Sequence, residues 1–161
     1  MSVKRKLLEF LQSFLRVLII GDGPHKTYLK DLCSELKISS QIEWAGSIYD
    51  DGEKSKLIKK CKICVSPGNV GLTAIEVLGF GVPVITHNNE NHQMPEFESI
   101  LYNKTGWLYE FNNNKSLTNT IIKGLDYQNL SKMHKKCINE VVENWSVDSQ
   151  LSKINKIICL K

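Results

Sequence analysis

The chain has 161 residues, 42% of them hydrophobic, which is enough to bury the core of one ordinary domain. Its 21 basic and 17 acidic residues, a formal charge of +4, are spread along the whole length. That balance does not mark a nucleic-acid binder; it suits a diphosphate ligand or an anionic membrane surface equally well. No apolar run approaches the roughly 20 residues of a membrane span. The five cysteines, Cys33, Cys61, Cys64, Cys137 and Cys159, are odd in number and sit among apolar neighbours, which reads as a reducing cytoplasm rather than a disulfide framework.

Apolar residues at Val3, Leu7, Leu11 and Phe14 recur at helical spacing and predict a helix at the N-terminus. The run Val17 to Ile20 then predicts a strand ending in the turn Gly21-Asp22-Gly23-Pro24. A helix marked by Tyr28, Leu29, Leu32, Cys33 and Leu36 follows, then a strand over Ile42 to Ala45, a helix through Leu57 and Ile58, and a buried-type strand at Ile63 to Ser66. Next come a helix over Leu72 to Phe80, a strand at Val82 to Thr86, a polar loop from His87 to Gln93 and a strand around Trp107 to Tyr109. Helices near Ser116 to Leu125, Leu130 to Asn144 and Val147 to Ile158 close the chain. Short apolar strands alternating with helices indicate an α/β fold, a doubly wound parallel sheet of Rossmann type, with crossover helices covering both faces.

Ligands of an open α/β sheet bind where the strands end, so the loops after Ile20, Ala45, Ser66 and Thr86 are the ones to read. Gly21 and Gly23 let backbone approach a ligand, but a third glycine at dinucleotide spacing would fall at Lys26; an ordinary strand-to-helix turn explains the motif as well. The segment Ser66-Pro67-Gly68-Asn69-Val70-Gly71-Leu72-Thr73 leads from a buried strand into a helix. The amides of Gly71, Leu72 and Thr73, at the positive end of that helix, suit phosphate oxygens. Glu76, one turn in and flanked by Ile75, Val77 and Leu78, needs a partner for its carboxylate. Vicinal ribose hydroxyls meet that need; a solvent-facing edge or a structural ion pair explains the residue equally well. Cys61 and Cys64 form an isolated Cys-x-x-Cys, and Asp50-Asp51-Gly52-Glu53 precedes a helix. Core thiols and a turn with a cap are the plainer readings, and no metal is expected. His87 and His92 read as loop histidines, and Glu96 and Glu98 as acidic residues at a helix start.

The motifs Ile20 to Pro24, Ile42-Glu43-Trp44-Ala45-Gly46, Val65-Ser66-Pro67, Gly71 to Ile85, Pro95-Glu96 and Lys104-Thr105-Gly106-Trp107-Leu108 together resemble family 4 retaining glycosyltransferases of the two-domain GT-B type, in the C-terminal, donor-binding domain. The likeness runs from about Val17 to Leu125, and Trp145-Ser146 resembles the start of that fold's crossing-back helix. The resemblance implies that Glu76 holds the donor ribose, that Gly71, Leu72 and Thr73 bind the distal phosphate, and that Ser47 and Ile48 lie at the nucleobase. The substrate is then a nucleoside diphosphate sugar, with no cofactor and no assigned catalytic residue.

Two departures from the family pattern stand out. The glutamate expected eight positions before Glu76 is Gly68, so sugar recognition falls to Asn69 or His87. The family's first strand and its Arg- and Lys-bearing loop are expected to be missing, together with the acceptor domain. Residues 1–161 are accordingly expected to form a single nucleotide-sugar-binding domain whose last helix, about 147–158, packs toward that missing N-terminal domain. Lys4, Arg5 and Lys6 read as a solvated helix edge, with a peripheral membrane contact as the functional rival. The implied setting is cytoplasmic, at the inner face of a bacterial membrane, in surface polysaccharide or glycolipid synthesis, with no nucleic-acid partner. A free-standing nucleotide-binding or interaction module without transferase activity is the alternative.

Overall fold

The computed structural model describes residues 15–159; the expected N-terminal helix and the Lys4, Arg5 and Lys6 cluster lie outside them. The chain divides into two compact units, Met1–Lys54 and Ser55–Lys161. All strands pair in parallel, as expected, but in two sheets, a pair and a triple.

In the first unit β1 (Val17–Ile20) pairs with β2 (Ile42–Gly46), Val17 opposite Ile42 and Ile19 opposite Trp44, with an irregularity before Ile20 meets Gly46. Helix α1 (Lys26–Glu35) connects them, as a parallel pair requires. Lys30 lies 5.9 Å from the centre of the Trp44 ring. Asp50 accepts a hydrogen bond from the amide of Glu53 at 2.7 Å and so caps α2 (Asp51–Ile58).

The second unit carries β3 (Cys64–Val65), β4 (Val84–His87) and β5 (Gly106–Tyr109) in that order, β4 central. Every residue of β4 is buried, which explains why its sequence is apolar without alternation until Thr86. Helix α3 (Leu72–Gly79) is followed by α4 (Asn114–Leu125), α5 (Leu130–Glu140), a π-helical turn at Val141–Trp145, and α6 (Val147–Cys159). The buried apolar side chains of the described residues run from Ile58 to Cys137, with Ala74, Leu78, Ile85 and Trp107 fully enclosed.

Local chemistry sets the ends of these elements. Asn113 accepts a hydrogen bond from the Ser116 amide at 2.9 Å, so α4 starts two residues earlier than its apolar pattern suggests. Helix α3 stops at Gly81, whose φ of +83° suits glycine. Its amide returns to Leu78 O at 2.8 Å, while that of Val82 reaches Val77 O at 3.1 Å. A side chain at Gly81 would press on Ile138 of α5 at 3.3 Å. That close approach packs α5 against the end of α3 and holds α3 over β4.

Candidate functional site

The turn after β1 is tied to the end of β2 and braced by its own aspartate. Gly21, at φ +131°, donates its amide to Gly46 O at 2.7 Å. Asp22 accepts from the Gly23 amide at 2.9 Å and pairs with Lys26 at 2.7 Å. The Lys26 hydrogen bond, with the Gly23 amide second, holds the Asp22 carboxyl below its ordinary pKa. Beyond β2, Ser47 is exposed and Ile48 half-buried.

The segment after β3 is built differently: its backbone is held by side chains from elsewhere in its own unit. Tyr109 on β5 donates its hydroxyl to Pro67 O at 2.8 Å. Thr86 on β4 reaches Gly68 O at 3.4 Å. Gln93 accepts from the Val70 amide at 2.7 Å, and the Met94 amide donates to Val70 O at 3.2 Å. Val70 is thereby buried, whereas Gly68 and Asn69 remain exposed.

This scaffold presents the N-terminus of α3. Gly71 is the N-cap, and no side chain caps the helix. Leu72 is 75% exposed and Thr73 is exposed, so the first turn of α3, with the positive end of its dipole, lies at the surface. Glu76 is half-buried one turn further on. A side chain at Gly71 would come within 3.5 Å of Met94 and 3.9 Å of the Glu96 carboxylate. Glu96 Oε2 is buried without a hydrogen-bond partner.

Gln93 was not singled out by the sequence, yet it ties the site together. Its amide nitrogen lies 2.9 Å from His87 O, 3.0 Å from His87 Nδ1 and 3.1 Å from Thr86 Oγ1. Nothing in periodicity distinguishes it from the other polar residues between Asn88 and Gln93; only the turn at Glu90–His92 swings it back over the strand end.

His87 is not a loop residue but the last residue of β4, 1% exposed. Its ring packs on Phe111 at 4.6 Å and edge-on to Tyr109 at 6.2 Å. The Asn89 amide donates to Nδ1 at 3.3 Å. Burial first, and then His92, lower its pKa from the ordinary 6.5. A neutral imidazole accepting at Nδ1 fits these neighbours, and as placed it is spent on structure rather than presented to a sugar. Exposed His92 stacks on Phe111 at 5.3 Å.

The Cys-x-x-Cys is equally structural. Cys61 donates its thiol to Leu57 O at 3.7 Å, and burial pushes Cys64 up to about 11, with Cys61 adding to the shift. A thiol that stays protonated at neutral pH is a poor nucleophile and metal ligand.

The parallel α/β scaffold matches the Rossmann-like fold of GT-B glycosyltransferases. The chain belongs to the family described as Glycosyl transferases group 1, whose profile matches residues 2–143. Among curated proteins it is similar to an uncharacterized glycosyltransferase, MJ1607, of Methanocaldococcus jannaschii, 32% identical over 73 residues, 44% of this chain and 18% of that protein. Among solved structures it resembles S. aureus TarM, crystallised as a mutant with Fondaparinux, alpha-GlcNAc-glycerol and UDP. The TM-score is 0.75 at 20% identity, over 96% of this chain and 32% of TarM. A glycosyltransferase from Rickettsia africae ESF-5 superposes with a TM-score of 0.71 at 25% identity, over 98% of this chain and 44% of that one. The pneumococcal O-GlcNAc transferase GtfA, solved with UDP and GlcNAc, gives 0.73 at 17% identity, over 96% and 30%. This chain thus spans less than half the length of each of these proteins.

Proposed function

We propose that this chain is the C-terminal, donor-binding part of a family 4 retaining glycosyltransferase that moves a glycosyl group from a nucleoside diphosphate sugar to an acceptor hydroxyl. The observation that carries this reading is the N-terminus of α3, uncapped by any side chain and held open by Gln93 and Tyr109. Its amides at Gly71, Leu72 and Thr73 receive the distal phosphate, and Glu76 accepts from the ribose hydroxyls. TarM and GtfA, which share the fold, are solved with UDP, which supports a nucleoside diphosphate as the ligand class. As the glycosidic bond breaks, charge grows on the departing diphosphate. Fixed amides and a helix dipole stabilise that charge without reorganising, a role that calls for no divalent metal.

The acceptor domain, a cytoplasmic location at the inner membrane face and a place in bacterial surface polysaccharide or glycolipid synthesis belong to the same proposal and rest on the resemblance. No described helix is long and apolar enough to cross a membrane.

Calorimetric titration with UDP tests the site. Binding is expected in roughly the millimolar range, about 4 kcal/mol, and unchanged by a chelator. Glu76→Gln, which keeps the shape and loses the charge, should weaken binding by about 1.5 to 3 kcal/mol, the usual worth of hydrogen bonds to a charged group. The 2′-deoxy analogue should bind the parent protein less well and be discriminated less by the variant. Unchanged affinity together with a sharply lowered melting temperature would make Glu76 a structural partner and remove the assignment.

A further inference from the structure

The second unit carries another concavity, of about 380 Å³, between Tyr102, the β5 residues Trp107 and Leu108, and the face of α4 from Asn113 to Lys123. The donor reading makes no use of it. Its polar groups can be accounted for one by one. Asn113 is held in place: its oxygen takes the Ser116 amide and one proton of its nitrogen goes to Glu110 at 2.7 Å. The Thr120 hydroxyl donates to Ser116 O at 2.8 Å. Lys123 gives one proton to the Tyr102 hydroxyl at 3.0 Å and sits 4.9 Å from the centre of that ring, which fixes the ammonium and leaves two protons unused.

What remains is mostly donors. Lys115 and Asn119 have no partner among the described residues, and the Ser116 hydroxyl accepts from the Glu110 amide at 3.0 Å with its own proton unassigned. Trp107 is wholly enclosed, and its indole N–H is buried without an acceptor. An orphaned buried donor is costly, and it lies in a residue that lines this groove. Two ammonium groups with no carboxylate among the lining residues complete the set. A ligand matching this inventory accepts hydrogen bonds at several points and is negatively charged.

We propose that the groove formed by Tyr102, Trp107 and α4 binds a small phosphate-bearing ligand, with Lys115 and Lys123 neutralising its charge and Ser116 and Asn119 completing its hydrogen bonds. The ligand settles in the groove as an accept-only anion beside Trp107, whose indole N–H reports its arrival. The site is separate from the α3 terminus, since no residue lining it belongs to α3 or to the loop before it.

The test is an amide and indole N–H spectrum of the whole chain titrated with inorganic phosphate at constant ionic strength. The Trp107 indole peak is identified by its loss in Trp107→Phe or, should that variant not fold, by elimination with Trp44→Phe and Trp145→Phe. A saturable shift of that peak in roughly millimolar phosphate is expected. In the Lys115→Gln, Lys123→Gln double variant it should require at least roughly tenfold more phosphate, the loss of about 1.4 kcal/mol, while the amides of Leu72 and Thr73 respond as before. A parallel titration with phosphatidic acid vesicles separates the sources: a response to dissolved phosphate alone assigns a soluble ligand, and a response to vesicles assigns a lipid headgroup. If the indole peak responds to neither, or shifts equally in the double variant, the proposal is overturned.

Discussion

The two glycine-bearing turns that lead from a strand into a helix, one after β1 and one after β3, look alike in sequence and are built on opposite plans. The first is held by the strand beside it and by its own aspartate: Gly21 bonds Gly46 O at the end of β2, and Asp22 takes both the Gly23 amide and Lys26. In the second, Pro67, Gly68 and Val70 are gripped from outside by Tyr109, Thr86 and Gln93; the helices after both turns lack a side-chain cap. A turn that uses up its own donors is finished when folded. One whose anchors lie elsewhere keeps the amides of the next helix available, which is what an anion site requires.

The strongest way to break this difference is to disturb the strand that carries the anchors. Gly106 lies opposite Val84, and a Cβ there would fall 2.0 Å from Val84 O and 2.8 Å from Ile100. The obstacle includes backbone, so β4 and β5 must part. Gly106→Ala is expected to cost about 3 kcal/mol, the upper end of overpacking effects, read as a fall in denaturant midpoint. A variant as stable as the parent would mean that the β4–β5 register gives more freely than the packing implies.

Removing one anchor is the next step down. Gln93→Ala leaves the Val70 amide without its acceptor in a half-dry site, and about 2 kcal/mol of stability should be lost. UDP affinity should fall with it, because the loop before α3 is no longer held. The matching change in the turn after β1, Asp22→Ala, removes an exposed pair of little worth and should leave the melting temperature nearly unchanged. Equal losses in the two variants would erase the distinction between the turns.

A smaller effect comes from pH. The pKa of His87 is lowered in the fold, so the unfolded chain binds the extra proton more readily. The stability contributed by neutral His87 is therefore present above its ordinary pKa of 6.5 and is lost as pH falls through the lowered value. Melting temperature should decline on acidification below about 6.5, and His87→Gln should flatten that limb. Identical acid limbs in the two proteins would show that the imidazole is not the group responsible.

Most of the framework was legible because it follows from one-dimensional patterns. The apolar run at Val17 to Ile20, the helical spacing from Leu72 and the strand at Trp107 to Tyr109 appear within a residue or two of their expected ends. That the chain is a glycosyltransferase was legible from the order of several motifs, and the profile of group 1 glycosyltransferases matches residues 2–143. The supports were not legible. Gln93 acts across 23 residues on Val70, and Tyr109 across 42 on Pro67, separations at which no local pattern links a side chain to the backbone it holds. His87 was misplaced because β4 runs to its polar end while still buried, and alternation says nothing inside a fully covered parallel strand.

Exchanging the glycines sharpens the comparison most, because it asks why each turn has one. At Gly21 the backbone sits at φ +131°, a region that side chains avoid, so Gly21→Ala should lose about 1 to 3 kcal/mol whatever room surrounds it. Gly68 has no such conformation, and a Cβ there would meet nothing within 4 Å. Gly68→Ala is therefore expected to be neutral, or to stabilise by about 0.4 to 1 kcal/mol through the lower entropy of the unfolded chain. The same open space admits a larger side chain, so Gly68→Glu should fold as well as the parent. A marked loss of stability in Gly68→Ala would mean that the glycine serves the backbone after all, as Gly21 does. A neutral result makes position 68 a matter of what the site accepts, and comparing UDP with UDP-sugars on Gly68→Glu then reads that preference directly. Unequal changes for the two ligand classes would place position 68 at the sugar, and equal changes would place it away from it.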